Sequence, residues 1–222
     1  MKDRLVVDPG LVGGRVCGVP VHPLWRPSAL KGNADRQSSR VSFRQTEPGE
    51  LQLHQAAWAR DFRVIELLLH STIPEQIEAV RHVGSTAVPG LLAKPVIDID
   101  LTVRDVSDEP SYIPRLEAAG FRLIFRDRLG GDEHRQLTLA DPNVNLHVWD
   151  ADASEPQRHE LFVAWLRSSP SDREMYTQAK LDAVAAAGAG RYNDHKSAAV
   201  YDIYERAFAA DPHRNHDPQP RT

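Results

Sequence analysis

A chain of 222 residues with a formal net charge of −4 has the length of one moderate domain plus extensions, and its 41% hydrophobic and 26% charged content provides for one core beneath an ordinary polar surface. The acidic balance argues against general nucleic-acid binding, which needs a basic face, and the single cysteine, Cys17, excludes an intrachain disulfide and fits a cytoplasmic setting. No apolar stretch approaches the roughly 20 residues needed to cross a bilayer.

Residues 1 to 41 are broken by Pro9-Gly10, Gly13-Gly14, Pro20, Pro23 and Pro27 and by the polar run from Lys31 to Arg40, which predicts a disordered N-terminal extension. From Glu50, the residues Leu51, Trp58, Phe62, Ile65, Leu68 and Leu69 recur at helical spacing. This helix should lie against a sheet. Pro74 follows its end, and Gln76 to Val83 suits a strand that delivers the chain to Gly84.

The next stretch carries chemistry. Gly84, Ser85 and Thr86 are followed by Lys94 and then by Asp98 and Asp100 inside the apolar run from Val96 to Val103. Alternate residues of a strand share a face, so Asp98 and Asp100 point one way while Ile97, Ile99 and Leu101 point the other. Two neighbouring carboxylates repel unless a cation lies between them. Their hard oxygens suit Mg²⁺, commonly held by one or two carboxylates together with the phosphates of a substrate. Glycine admits the backbone close to a phosphate, and the Ser85 hydroxyl with adjacent N–H groups can grip its oxygens. Thr86 and Lys94 flank that cradle as further phosphate contacts. The pattern predicts a Mg²⁺-dependent nucleoside triphosphate site.

Beyond Val103 the residues predict a loop from Asp105 to Pro110, a short helix from Pro114 to Ala119 ended by Gly120, and a strand through Phe121, Leu123 and Phe125. Gly130-Gly131 turns the chain. A hairpin then joins Arg135 to Ala140 with Val144 to Trp149 through Asp141-Pro142-Asn143. Arginines 122, 126, 128 and 135 cluster here, and Arg135 is the candidate clamp for a phosphate or an acceptor carboxylate. His147 alternates with Leu146 and Val148, and a neutral imidazole can ligate a metal or act as a general base. Asp150 falls on the other face. The remainder reads as helices: Glu155 to Leu166, a second opened by the capping box Ser171-Asp172-Arg173-Glu174 and stopping near Gly188-Ala189-Gly190, and a last one after Asn193 or Asp194. Residues 210–222 suggest a flexible tail.

The run HVGSTAVPGLLAKPVIDIDLTV from His82 to Val103, the Asn145-Leu146-His147-Val148 stretch, and the Tyr192 to Lys196 segment before an apolar helix are together similar to the GrpB family, a branch of the DNA polymerase β-like nucleotidyltransferase superfamily. The resemblance covers about residues 42 to 209. It implies an α+β domain in which helices flank a mixed sheet and C-terminal helices pack over it. It also implies transfer of a nucleoside monophosphate from a nucleoside triphosphate to an acceptor, with Mg²⁺ on Asp98 and Asp100. Within the family-like block, Lys196 becomes a phosphate candidate, and His147 stands where the superfamily plan has a third carboxylate. That departure keeps a rival open: a catalytically inactive nucleotide- or phosphate-binding module, accessory to coenzyme A metabolism because GrpB-like domains occur joined to dephospho-CoA kinases. The base, the acceptor and the oligomeric state are not specified by the sequence.

Overall fold

The computed structural model describes residues 15–16, 18–27, 37–186 and 192–220. Its elements are the short strands β1 (Arg15–Val16) and β2 (Val19–Pro20), helix α1 (Ala57–Thr72), strands β3 (Ile77–Val83) and β4 (Ile97–Val103), helix α2 (Glu109–Ala118), strands β5 (Arg122–Leu129), β6 (Asp132–Leu139) and β7 (Val144–Asp150), and helices α3 (Ser154–Ser168), α4 (Pro170–Ala186) and α5 (Tyr192–Ala209). Among the described residues no helix is long and apolar enough to cross a membrane. The contacts divide the chain into two units, Asn33–Arg173 and Met1–Gly32 with Glu174–Thr222.

The larger unit is built on a five-stranded sheet in the order β3-β4-β7-β6-β5. β4 and β7 run parallel, and the other neighbours are antiparallel. Parallel neighbours need a crossover, here supplied by α2 and the β5–β6 hairpin. The odd positions of β4, Ile97, Ile99, Leu101 and Val103, join Leu146 and Val148 of β7 in a core closed by Trp58, Ile65 and Leu69 of α1 and by Tyr112 and Leu116 of α2. Ile99 and Leu101 are wholly buried, and burial of each such side chain contributes about 1.5–3 kcal/mol. Helix α3 crosses the opposite face, where His159 meets Asp100 and Glu160 lies 3.4 Å from Arg81. This is the mixed α+β arrangement expected, with a helix from the C-terminal part over the sheet.

Boundaries differ where local chemistry was misjudged. The first helix starts at Ala57 rather than Glu50, because Gln52 pairs with Ala93 through backbone bonds in both directions. Helix α2 runs Glu109–Ala118 instead of Pro114 to Ala119. Pro110 fits a first turn whose N–H groups have no intrahelical acceptor, and Pro114 is tolerated at the loss of one such bond. Along the outer edge of β5, Val41 N–H donates to Ile124 O and Arg126 N–H to Ser39 O, which covers an edge otherwise open to pairing.

His82, on the core side of β3, stacks on Phe62 at 4.8 Å and contacts the Thr86 hydroxyl at 3.0 Å. Burial, and then the charges of Arg167 and His54, lower its pKa to about 4. Its ring resonances, followed by NMR, should therefore stay flat through neutral pH; a transition near the ordinary histidine value would contradict this packing.

In the smaller unit, His22 stacks on Phe208 of α5 at 4.6 Å, and the Trp25 indole N–H donates to Glu205 at 2.8 Å. Glu205 also accepts from His216 Nε2–H at 2.8 Å and Gln219 N–H at 2.7 Å. Most of the stretch expected to be a disordered extension, 1–14, Cys17 and 28–36, lies outside the described residues, as does the expected helix stop at Gly188-Ala189-Gly190.

Candidate functional site

The register of the sheet assembles the site on the α3 side. Asp98 lies beside Asn145 and Asp100 beside His147 across the parallel seam. The next strand sets Gln136 beside His147 and His134 beside Trp149, and β5 adds Asp127 opposite His134. Partners in register point to the same side. One face therefore carries Asp98, Asp100, Asn145, His147, Trp149, Gln136, His134 and Asp127, while the reverse face is the apolar core.

Asp100 is fully buried, and both of its oxygens accept hydrogen bonds: Oδ1 from the Trp149 indole at 2.9 Å and Oδ2 from His159 Nδ1 at 2.8 Å. Burial alone would raise its pKa, but the charge and hydrogen bond of His159, the charge of His147 and the Trp149 bond hold it below the ordinary carboxylate value. Burial likewise pushes His159 down, and the charge and hydrogen bond of Asp100 outweigh it, leaving the imidazole above its ordinary value. The two form a partly sheltered ion pair. Asp98 is half-buried and accepts from Asn145 Nδ2 at 2.7 Å on Oδ1. The Asn145 amide oxygen in turn accepts from Arg44, whose other nitrogen donates to Asn143 Oδ1 at 2.7 Å.

Gly84 closes the Asp98 end. Val83 pairs with Asp98 as β3 ends, and Gly84 adopts φ 67° and ψ −167°, a region open essentially to glycine alone. A Cβ built there would stand 2.9 Å from Asp98 Cβ and closer still to Oδ2. The backbone thus passes against the carboxylate, and Ser85 starts the short turn Ser85–Ala87 that follows.

The other expected residues fall in different places. Thr86 is buried and its hydroxyl donates to Val96 O at 3.1 Å, which ties the turn to the start of β4. Lys94 lies half-buried in the connection before β4, its carbonyl accepting from Val96 N–H at 2.8 Å. Arg135 does not join the aspartates. It pairs with Val148 in register, so its side chain is on the reverse side, where Glu109 at 2.6 Å and Glu133 at 3.1 Å hold it. Lys196 belongs to the smaller unit, with its ammonium 5.3 Å from the Tyr192 ring and 3.5 Å from the Tyr176 hydroxyl.

Among the site residues that went unread in the sequence are Asp127, His134, Trp149 and His159. A signal existed for two of them. The alternation His134-x-Gln136-x-Thr138 across the hairpin from Asn145-x-His147-x-Trp149 is that of two strands with polar groups on one shared face. His159 lies on a helix 59 positions beyond its partner, and no local pattern joins the two.

The donor chemistry for a metal is two carboxylates on one face beside a close backbone approach. Among the described residues no group of three or more His, Cys, Asp or Glu side chains is arranged to hold a cation. One or two carboxylates completed by phosphate oxygens of a substrate would be the Mg²⁺ type for such a pair; of the two, Asp98 is half-buried, while Asp100 is fully buried with both oxygens already accepting bonds.

Comparison with known proteins is consistent across sequence and structure. The family model described as GrpB protein matches residues 48–206. A UPF0157 protein of Halalkalibacterium halodurans is 38% identical over 172 residues, covering 72% of this chain and 88% of that protein. The crystal structure of conserved protein GrpB from Enterococcus faecalis superposes with a TM-score of 0.64 at 25% identity, covering 72% of this chain and 97% of that one. A dephospho-CoA kinase of Mycobacterium tuberculosis is 32% identical over 204 residues, 79% of this chain, but the match spans only 48% of the kinase.

Proposed function

Because the chain belongs to the GrpB family, whose signature resembles that of nucleotidyltransferases, we propose that it transfers a nucleoside monophosphate group from a nucleoside triphosphate to an acceptor hydroxyl. The observation that carries this reading is the contact of Gly84 with Asp98, on the same strand face as Asp100. A backbone turn pressed against one carboxylate, with a second carboxylate two residues on, suits a phosphate chain bridged to a cation.

In this reading Asp98 and Asp100 hold Mg²⁺, which supplies charge neutralisation for the triphosphate when bound. The Gly84 and Ser85 N–H groups and the Ser85 hydroxyl orient phosphate oxygens. Asn145 fixes the rotamer of Asp98, while Trp149 and His159 fix that of Asp100. His147, the neighbour of Asp100 across the seam, orients the acceptor hydroxyl and takes its proton.

Isothermal titration with ATP, GTP, CTP and UTP, with and without Mg²⁺, tests the site. At least one nucleotide should bind in a Mg²⁺-dependent way, and the Asp98→Asn, Asp100→Asn double variant should lose that binding. Equal affinity in both proteins removes the carboxylates from the account.

One observation favours a second reading, a nucleotide- or phosphate-binding module without turnover: a histidine, not a third acid, flanks Asp100. Incubation with labelled nucleotide and cell extract separates the two, since a transferase labels an acceptor and releases pyrophosphate while a module does neither. The kinship with a dephospho-CoA kinase makes dephospho-coenzyme A and coenzyme A the added ligands to titrate for the module reading.

A further inference from the structure

Helix α3 reaches the site at two points. His159 meets Asp100. A little over two turns further along, about 12 Å of helix axis, Arg167 donates twice to the carbonyl oxygen of Ala87, from Nε at 3.1 Å and from Nη2 at 2.8 Å. Because the rise of a helix is constant, these two contacts are fixed relative to each other.

Ala87 is the last residue of the turn that starts at Ser85. So short a turn does little to hold itself. Its closing bond runs from Val88 N–H to Ser85 O at 3.2 Å, and a first helical turn fixes several dihedral angles for one hydrogen bond. The turn is held from outside instead. Gly84 passes against Asp98 at its start, and the Thr86 hydroxyl donates to Val96 O in its middle. Both of those ties belong to the stretch from His82 to Val103. At its end the tie comes from a distant part of the chain, and it is ionic: N–H groups of a cation bond about twice as strongly as neutral ones, and a guanidinium keeps its charge at every working pH.

We propose that Arg167 is a positioning residue for the phosphate groups of the substrate, fixing the Ser85–Ala87 turn at a set distance from the two aspartates. Phosphate oxygens gripped at the turn and a cation held at the carboxylates then meet in one geometry. The contact with Ala87 is independent of what binds; its use rests on the nucleoside triphosphate site argued above. Arg167 acts on the substrate through the backbone of the turn, so its loss costs affinity for phosphate rather than for base or ribose.

The test compares the full wild-type chain with Arg167→Met, which keeps the apolar stem and removes the donors, and with Arg167→Lys, which keeps the charge but replaces the planar fork by one ammonium. Arg167 is exposed, so neither change opens a core cavity. Without ligand, the Val88 amide of Arg167→Met should exchange with solvent about tenfold faster, while the Leu101 and Val148 amides keep their wild-type rates. In Mg²⁺, Kd for the best-bound of ATP, GTP, CTP and UTP should rise about 10–100-fold, the usual cost of losing an outer support of a site. Kd for inorganic tripolyphosphate should rise by the same factor, and Arg167→Lys should fall between the other two proteins. Unchanged exchange at Val88, or equal affinities in all three proteins, overturns the proposal. So does faster exchange spread to Leu101 and Val148, which marks a general structural role, or a loss confined to the nucleotide and absent for tripolyphosphate. A wild-type protein that binds neither ligand sinks the triphosphate site itself, and the Val88 rate still decides whether Arg167 holds the turn, so the two failures are told apart.

Discussion

Replacing Gly84 by alanine is expected to damage stability and nucleotide binding together. The φ of 67° and ψ of −167° at this position lie where a side chain costs about 1–3 kcal/mol of backbone strain, and the new methyl group would also collide with Asp98. Asp98 must turn away, which breaks its bond from Asn145. The thermal midpoint should drop by several degrees, at roughly 2–4 °C per kcal/mol for a chain of this size, and Mg²⁺-dependent nucleotide binding should disappear. Gly90 is the control. Its φ is 79°, but a Cβ there meets nothing within 4 Å, so Gly90→Ala should bring strain without loss of binding. If calorimetry and titration find the two variants alike, the approach of Gly84 to Asp98 has no functional weight.

Asp100→Ala should be the most destabilising change at the site. It leaves the His159 charge and the Trp149 indole N–H facing a cavity where both oxygens of Asp100 had stood; removing one partner of a fully buried pair costs about 3–5 kcal/mol, and the cost here is below that range because the His159 side chain is 31% exposed and can be hydrated. The loss depends on pH with a defined sign. His159 is held above its ordinary value of 6.5, so its share of the stability is full below that value and is lost as pH rises through the folded pKa. Asp100 is held below 3.8, so its share is present above that value and is lost as pH falls through the folded pKa. Urea unfolding in chelator should therefore show the largest gap between wild type and variant in the window between those two folded values. A gap that stays constant with pH would rule out the ion pair.

The sequence made the acidic strand easy to read because a strand's two-residue repeat is geometric: Asp98 and Asp100 had to share a side once their apolar neighbours were assigned to the core. His147 followed by the same alternation from Leu146 and Val148. Arg135 shows where this reasoning stops. It was placed by nearness to the hairpin, yet a single step in register decides the face, and the pairing of Arg135 with Val148 sends it to Glu109 instead. Asp127 and His159 were missed for another reason. Each reaches the site only through the completed fold, Asp127 by way of His134 and His159 from a helix crossing over Asp100. Lys196 was read from its sequence block and lies in the smaller unit.

Arg44 lies outside the span matched by the family model, 48–206, yet its guanidinium occupies the carbonyl oxygen of Asn145. Gln136 Nε2 reaches the same oxygen at 3.4 Å, so Arg44 and Gln136 together hold Asn145 with its nitrogen toward Asp98, a carboxylate that only accepts. A recombinant protein cut at the family boundary would lose that bond to Asn145 together with a positive charge that acts on Asp98. Assays on such a fragment would report a carboxylate stripped of a nearby cation rather than the native one, and a negative result from it would say nothing about the intact chain.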